Sequence, residues 1–407
     1  MKKHDDLLRR SGSTILLLLL YIIGQNIPLP FFKIVLKATQ DSSIEHMLAL
    51  TTGGTFSNPT LFALGLAPYM FITIFLSVFT AINREWAKRI SRELRGKIQV
   101  WGIFLFAFLQ AFVMAISFYG NQQIFDKGTV SAGLVIPTTM LFLIAGALLI
   151  AWLASMNVEF GVGGPFVMIL PGIVTSITKS LLQIYPALEG HSGRMIILLI
   201  LTVSFIFITE RLYTAEYRIK IQRPILANQT MRPYLAFRIL IAGTFPLMFS
   251  STLMALPEQL LKLLHINSAH IQAFFNLVTL QGTIMYAVVL YTLGVLFSFI
   301  NLMPIQIAED MQEQGDYIIG VKPGRTTKHY LVKRVSLWAA VGSLYLVFVA
   351  VVPLLIGHVA HKSIYTNFST YFAMWFVLIA IFDNVRQDLE FLYYKDNYQL
   401  FGSRRGV

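Results

Sequence analysis

Few side chains in this sequence have the types and spacing that covalent chemistry requires. There is no H-E-x-x-H zinc pair, no phosphate loop ending in Gly-Lys-Ser or Gly-Lys-Thr, no G-x-S-x-G elbow and no Ser and His pair at membrane depth. The absence of cysteine excludes disulfides, thiolate metal sites and cysteine nucleophiles. Gly161-Val162-Gly163-Gly164 has the look of a phosphate cradle, but a dinucleotide fingerprint needs a strand before it and a soluble helix after it. This one joins two long apolar runs. Ion-coupled transporters generally keep ionisable groups inside their spans. Here Glu210 and Asp383 sit only at the ends of apolar runs. The chain is therefore expected not to be an enzyme, and to use neither cofactor nor metal.

The residues that remain must be positioned by membrane helices. Of 407 residues, 56% are hydrophobic and 13% charged, and the mean hydropathy is +0.66, outside the range of soluble domains. Runs of about 20 apolar residues cross a hydrocarbon core ~30 Å thick. Ten are predicted, at about 13–30, 61–82, 99–119, 133–154, 164–182, 194–210, 237–256, 282–302, 335–356 and 366–385. A net charge of +12 would suggest nucleic acid for a soluble protein, but in a membrane protein its distribution between the two sides matters more. The N-terminus, the segments after even-numbered spans and the C-terminus hold 25 of the 32 Lys and Arg residues. Both termini are expected in the cytoplasm, with no nucleic-acid partner. The apolar run Ile15–Leu20 after a basic start mimics a signal peptide, yet Gln25-Asn26-Ile27-Pro28 offers no small-residue cleavage site. It is read as a retained first span.

Residues 52–80 break the pattern of plain apolar helices. Gly53, Gly54, Asn58 and Pro59 end one helical piece before another starts near Thr60, and Gly65 and Pro68 interrupt the second. Non-helical backbone at membrane depth survives only when buried in protein or lining a watery cavity. The segment must point inward. From Gly53 to Tyr69 it closely resembles the second span of the SecY family of protein-conducting channels. In that family the preceding piece is a plug helix and the following piece is one wall of a gate opening sideways to lipid. The resemblance places the plug at about 46–57, including Gly53, Gly54, Thr55, Phe56 and Ser57.

Further motifs follow in family order from Arg9 to about Tyr394. Ile27-Pro28-Leu29-Pro30 resembles the family's exit from span 1, and Trp152-Leu153 leads to a Gly-rich loop before span 5. Tyr217 to Arg223 alternates apolar and basic residues and reads as part of a two-stranded β projection. In the family that projection docks the motor ATPase or the ribosome, which would make Arg218, Lys220 and Arg223 docking residues. Ala242 to Ser251 resembles span 7, the second gate wall. Lys322, Pro323, Gly324 and Arg325 match a second docking loop, with Lys322 where the family has an almost universal Arg. Ile381 to Gln387 is similar to the family's A-M-D-x-x-R-Q.

The family's fold is all-α, with ten transmembrane helices in two pseudo-symmetric five-helix halves. It implies halves at 1–190 and 191–407, with cytoplasmic loops at about 211–236 and 303–334. Carried over by motif, the pore ring is Met70, Ile74, Phe166, Leu170, Met248 and Phe376, an apolar constriction that blocks ions by dewetting. The gate would be built on Pro68, Ser77, Leu240 and Pro246. Ser77 and Leu240 replace the family's usual Gln and Asn, which weakens a polar latch. With Lys322 this departure resembles the accessory branch of the family in Gram-positive cocci. The branch implies a dedicated SecA-type ATPase, small SecE- and SecG-like subunits, accessory secretion proteins, and export of serine-rich glycosylated adhesins across the cytoplasmic membrane. A housekeeping channel for general preproteins is the alternative inside the family. A ten-span secondary transporter of small solutes is the alternative outside it.

Overall fold

The computed structural model describes residues 2–32, 54, 59–120, 132–188, 192–223, 233–263, 273–277, 279–360 and 364–394. Helices α1 (Lys2–Asn26), α2 (Ala67–Ile82), α3 (Arg84–Arg89), α4 (Arg92–Gly120), α5 (Ala132–Phe160), α6 (Leu170–Leu188) and α7 (Ser192–Thr214) come first. Strands β1 (Glu216–Gln222) and β2 (Tyr234–Arg238) follow, then α8 (Phe245–Leu263), α9 (Leu280–Leu302) and α10 (Pro304–Gln314). The two-residue strand β3 (Tyr317–Ile318) precedes α11 (Arg325–Ala360) and α12 (Ile364–Tyr394). Among the described residues eight helices are long and apolar enough to cross a membrane, and two apolar helices are shorter, Ala67–Ile82 and Phe245–Met254. These shorter two are the predicted spans 2 and 7.

Both shorter spans have the same local cause. Residues 61–66 and 241–244 run as turns before each helix begins. Gly65 and Gly243 adopt positive φ of 57° and 66°, open to glycine without strain, and Pro68 and Pro246 sit in the first helical turn. The unwound entry to α2 is deeply buried, so its backbone polar groups must be paired inside the protein. The end of α1 supplies the partners: Leu61 N donates to Ile27 O at 2.9 Å, and Leu29 N donates to Pro59 O at 2.9 Å. The Pro28 and Thr60 positions form an isolated antiparallel bridge. Three glycines let neighbouring elements close on this entry. A Cβ on Gly24 would collide with the Phe62 ring, one on Gly146 with Leu61 O, and one on Gly54 with Ala63 O.

Away from these entries the long helices carry exposed apolar side chains, including Leu105, Leu182, Ile197, Leu199 and Phe348. Exposure on that scale suits lipid rather than water. On one end of the bundle a small sheet forms in the order β2-β1-β3. β1 pairs antiparallel with β2 from Glu216 opposite Arg238 to Lys220 opposite Tyr234, as the alternating sequence predicts. The third strand was not expected. Ile221 and Gln222 pair with Ile318 and Tyr317, so the two predicted cytoplasmic loops form one sheet. Ile219, Ile221 and Phe237 pack with Ala308, Met311, Ile318 and Leu331 into a separate apolar core beneath it.

Ion pairs fix this end of the molecule. Arg223 Nε donates to Asp316 Oδ2 at 2.8 Å, tying β1 to the residue just before β3. Arg238 Nη1 donates to Asp383 Oδ2 at 2.7 Å, and Arg386 and Gln387 donate to the same carboxylate at 2.9 and 2.7 Å. Asp383, Arg386 and Gln387 thus act together to hold the strand that leads into α8 against α12. The Asp383 side chain is only 6% exposed, so removing it strands part-exposed arginines. Asp383→Ala is expected to cost about 1.5–3 kcal/mol, the range for hydrogen bonds to charged groups. Thermal unfolding of the solubilised chain should show a lower midpoint, with Arg386→Gln giving a smaller drop.

Candidate pore and gate

The expected pore residues come from four of the predicted spans, 2, 5, 7 and 10, and the two short helices meet first. Met70 and Met248 are each 2% exposed and share one apolar cluster with Phe166 and Leu170. Between Met70, Phe71, Met248 and Phe249, with Ala67 and Thr252, the remaining cavity is only about 10 Å³. A cavity needs roughly 10–15 Å³ and several polar partners to hold even one water. No water column passes there.

Two of the six expected ring residues lie elsewhere. Ile74, one turn beyond Met70, belongs to a neighbouring cluster together with Leu240 and Phe376. Phe376 is fully buried with its ring 5.5 Å from Tyr213 and 6.2 Å from Tyr345, so it faces α7 and α11. The buried α12 side chains in the Met70 cluster are Met374, Val377, Leu378 and Ile381, with Trp375 and Val385 partly buried against it. The i, i+3, i+4, i+7 spacing of the buried four defines one helix face, and Phe376 stands off it. The structure therefore brings four of the six residues together and offers Val377 and Ile381 on α12 as their neighbours.

At the gate, no hydrogen bond joins Ser77 and Leu240. Ser77 Oγ donates to Thr73 O at 2.8 Å in its own helix, and Leu240 is buried among apolar side chains. Aromatic rings close the seam instead. Phe106 stacks on Phe71 at 4.1 Å and 9°, and Phe71 stacks on Phe249 at 5.8 Å and 17°. Phe249 meets Phe297 at 5.6 Å, Phe297 meets Phe245 at 5.8 Å, and Phe245 meets Phe166 edge-on at 5.1 Å. The chain of rings crosses between the N-terminal and C-terminal spans twice, at Phe71–Phe249 and at Phe166–Phe245. Neither Phe71 nor Phe249 was singled out in the sequence. A signal existed in Gly65-Leu66-Ala67-Pro68-Tyr69-Met70-Phe71 and Gly243-Thr244-Phe245-Pro246-Leu247-Met248-Phe249, the same G-x-x-P-x-M-F in both gate helices.

Two cavities flank the seam. A groove of about 920 Å³ runs between Val78, Ala81 and Ile82 of α2 and Leu296, Phe299 and Ile300 of α9. It is apolar along its length and ends at Gln306 and Glu309. Nearer the sheet, a cavity of about 330 Å³ is lined by Phe166, Tyr213, Arg238, Asn301 and Asn384. Asn301 Nδ2 donates to Ile241 O at 3.0 Å, satisfying the unwound entry to α8 as the end of α1 does for α2.

Of the expected plug residues only Gly54 is placed, packed against the backbone of Ala63; Gly53, Thr55, Phe56 and Ser57 lie outside the described residues. The Gly161–Gly164 loop has its polar groups engaged by protein. Val162 N donates to Thr14 Oγ1 at 2.9 Å, Gly163 N donates to Asp388 Oδ2 at 2.8 Å, and Asn157 Nδ2 donates to Gly164 O at 2.6 Å. Its backbone groups hold α1, α5 and α12 together. Among the expected docking residues, Arg223 is engaged by Asp316, while Arg218 pairs with Glu216 at 3.2 Å and lies 4.7 Å over the Tyr234 ring. Lys220, Lys322, Pro323 and Arg325 are exposed, and Gly324 turns the chain at φ 92°. Ile319 N donates to Lys220 O at 3.4 Å, so the Lys322 loop leaves from a chain paired with β1. Among the described residues no cluster of His, Asp and Glu has the arrangement of a metal site.

The ring seam makes a direct prediction. An aromatic pair is worth about 0.5–1.5 kcal/mol beyond its buried area, so losing one corresponds to an opening equilibrium shifted about two- to tenfold. Phe249→Leu and Phe71→Leu should each raise resting ion conductance in planar bilayers by that order. Phe79→Leu, whose ring touches Trp86 at 4.9 Å away from the seam, should not. Equal conductance in all three variants would show that the rings do not hold the gate.

Comparison with known proteins agrees with this architecture. A profile of the SecY family matches residues 60–382. An accessory Sec system protein translocase subunit SecY2 from Leuconostoc gelidum subsp. gasicomitatum is 30% identical, over 95% of this chain and 94% of the relative. The protein of the same description from Streptococcus salivarius is 29% identical over 98% and 99%. Among solved structures, a protein-conducting channel superposes with a TM-score of 0.64 at 13% identity, covering 97% of this chain and 95% of its own. Sec61 in the canine ribosome-channel complex gives 0.60 at 12%, covering 97% and 95%. The two shortened helices, the Asp383 motif and the match across most of the sequence make this chain a multi-pass membrane protein of the SecY family.

Proposed function

We propose that the chain is the channel subunit of an accessory protein translocase, passing preproteins through the pore closed by Met70, Met248, Phe166 and Leu170. The observation that carries this reading is the narrow apolar constriction between two short, glycine- and proline-started helices that also meet along a seam of aromatic rings. A small-solute carrier needs a polar binding site at midplane. A channel for polypeptides needs an apolar seal that parts and recloses. The 920 Å³ groove beside the seam lies where an apolar segment of a passing chain would leave sideways.

On this reading the chain is not an enzyme, and energy comes from a SecA-type ATPase docking at the exposed Lys220, Lys322 and Arg325. Both termini lie in the cytoplasm, the segment at about 46–57 plugs the pore, and small SecE- and SecG-like subunits complete the assembly. The relationship to accessory translocase subunits favours serine-rich glycosylated adhesins as substrates and accessory secretion proteins as further partners.

Cells lacking the chain should remain viable, secrete bulk proteins normally and lose serine-rich surface glycoproteins. General secretion failure would instead assign the housekeeping role, and a sodium- or pH-driven solute flux in vesicles would refute the channel. Lys322→Glu should reduce ATPase stimulation and export by about tenfold, as expected when one interface cation worth ~1.4 kcal/mol is reversed. Normal export by that variant would remove the loop from the docking surface.

A further inference from the structure

The small sheet keeps one edge open beside the constriction. Its order is β2-β1-β3, so β2 lies outermost on one side. Ile239 N donates to Ala215 O at 3.1 Å and Ile221 N donates to Pro233 O at 3.2 Å, one bond at each end of the β1–β2 ladder. Bonded pairs alternate with unbonded ones along an antiparallel ladder. In the observed register the bonded pairs between those ends are Tyr217 with Phe237 and Ile219 with Leu235. Tyr234, Ala236 and Arg238 therefore turn their backbone N–H and C=O groups away from β1. The same alternation turns Lys220 toward β3, where its carbonyl accepts from Ile319 N. Among the described residues nothing bonds the outward groups of β2.

This edge borders the 330 Å³ cavity. Ala236 and Arg238 form part of its wall, and Phe166, Phe245, Thr244 and Asn384 lie around it. Phe166 also packs against the cluster that contains Met70 and Met248, so the cavity adjoins the constriction. Its volume lies within the range of ligand pockets, about 300–1,000 Å³. Leu235 and Phe237 pack into the apolar core under the sheet, which leaves Ala236 exposed on the other face. Open edges are usually guarded by an inward charge, a proline or a bulge that prevents pairing. The middle residue of this one is alanine, which blocks nothing.

We propose that the free edge of β2 binds the main chain of a polypeptide in transit, which adds as a temporary fourth strand beside Ala236 before it enters the constriction. The inference rests on the channel reading above. An edge offers N–H and C=O groups that repeat every two residues, about 6.8 Å, and extended polypeptide matches that repeat whatever its side chains. A channel that passes unlike sequences needs recognition of this kind. Only three residues of β2 point outward, so few bonds form at once and the passing chain is held weakly enough to advance. A slip of one residue would exchange the faces of the added strand, so it moves along the edge two residues at a time.

Disulfide cross-linking of an arrested preprotein tests this. The chain has no cysteine, so Ala236→Cys supplies a single thiol. The preprotein is halted by a folded domain at its C-terminal end and carries one cysteine, moved along successive positions. In inverted membrane vesicles with the motor ATPase and ATP, cross-link yield should rise and fall with a period of two residues. Alternate side chains share a face, and opposed Cβ atoms lie about 4.5–5.5 Å apart. Ala236→Pro removes one outward N–H and leaves every β1–β2 bond in place. Read from Tyr234→Cys, it should lower the yield about two- to tenfold, the effect of one hydrogen bond, whereas Ala236→Ser should not. A yield without the two-residue period, or one unmoved by Ala236→Pro, would overturn the pairing. So would cross-links from Ala236→Cys to the ATPase in place of the preprotein. Met70→Cys separates the two readings. Cross-links there with none at Ala236→Cys would refute the edge site alone, and none at either position would refute the channel itself.

Discussion

Backbone that leaves the helix inside a membrane must find all its hydrogen bonds within the protein, and that demand shapes everything near the pore. The entry to α2 meets it by pairing Leu61 with Ile27 and Pro59 with Leu29, at the proline-bearing exit of α1. The entry to α8 meets it through Asn301, which donates to Ile241 O and Ala242 O from the end of α9. Because those bonds require close approach, glycines stand wherever a side chain would intrude. Gly24, Gly54 and Gly146 converge on three successive residues, Leu61 to Ala63, from three directions. The result is a rigid socket from which each short helix emerges at a fixed register.

Register then determines the seal. Pro68 and Pro246 each start a helix in which Met follows two residues later and Phe three, so both helices offer the same pair to each other. Met70 and Met248 line a cavity of only about 10 Å³, and Phe71 stacks on Phe249. A thioether is soft and adaptable, suited to closing around chains of varied shape, while a stacked ring pair is directional and favours one alignment. The constriction and the seam are therefore one contact: parting the rings also parts the methionines.

Much of this was legible before any coordinates. Eight of the ten apolar runs, the breaks at Gly65 and Pro68, and the alternation in Tyr217–Arg223 follow from local chemistry and appear where expected. Span 7, expected from about 237 with Pro246 as a mid-span kink, is helical only from Phe245, because Phe237 and Arg238 belong to β2 and Pro246 starts the helix instead. What stayed hidden depended on distant pairing. β3 is two residues long, too short for an alternating pattern to show, and exists because Ile221 and Gln222 extend past the end of β2. Phe71 and Phe249 are apolar residues in apolar spans, where type carries no positional information; only the repeated G-x-x-P-x-M-F, 178 positions apart, marks them. Phe376 shows the opposite difficulty. A motif match located its turn of α12, but a helix rotates about 100° per residue, and the face that joins the Met70 and Met248 cluster carries Met374, Val377 and Ile381.

A seam made of rings has consequences for how such a gate is driven. Hydrogen bonds buried in a dry seam would be lost outright on opening, at about 1–3 kcal/mol for each unsatisfied group. Ring contacts lose only about 0.5–1.5 kcal/mol each, and the freed faces are accepted by lipid or by an apolar segment entering between them. Two crossings, Phe71–Phe249 and Phe166–Phe245, thus set an opening cost of about 1–3 kcal/mol beyond area, within reach of one intercalating apolar segment. The replacement of a polar latch by Ser77 and Leu240 is then no weakness. Ser77 bonds within its own helix and Leu240 packs in the apolar cluster, so neither leaves a polar group orphaned when the helices separate. On the proposed gate reading, parting α2 from α8 breaks ring contacts and no specific side-chain hydrogen bond between Ser77 and Leu240.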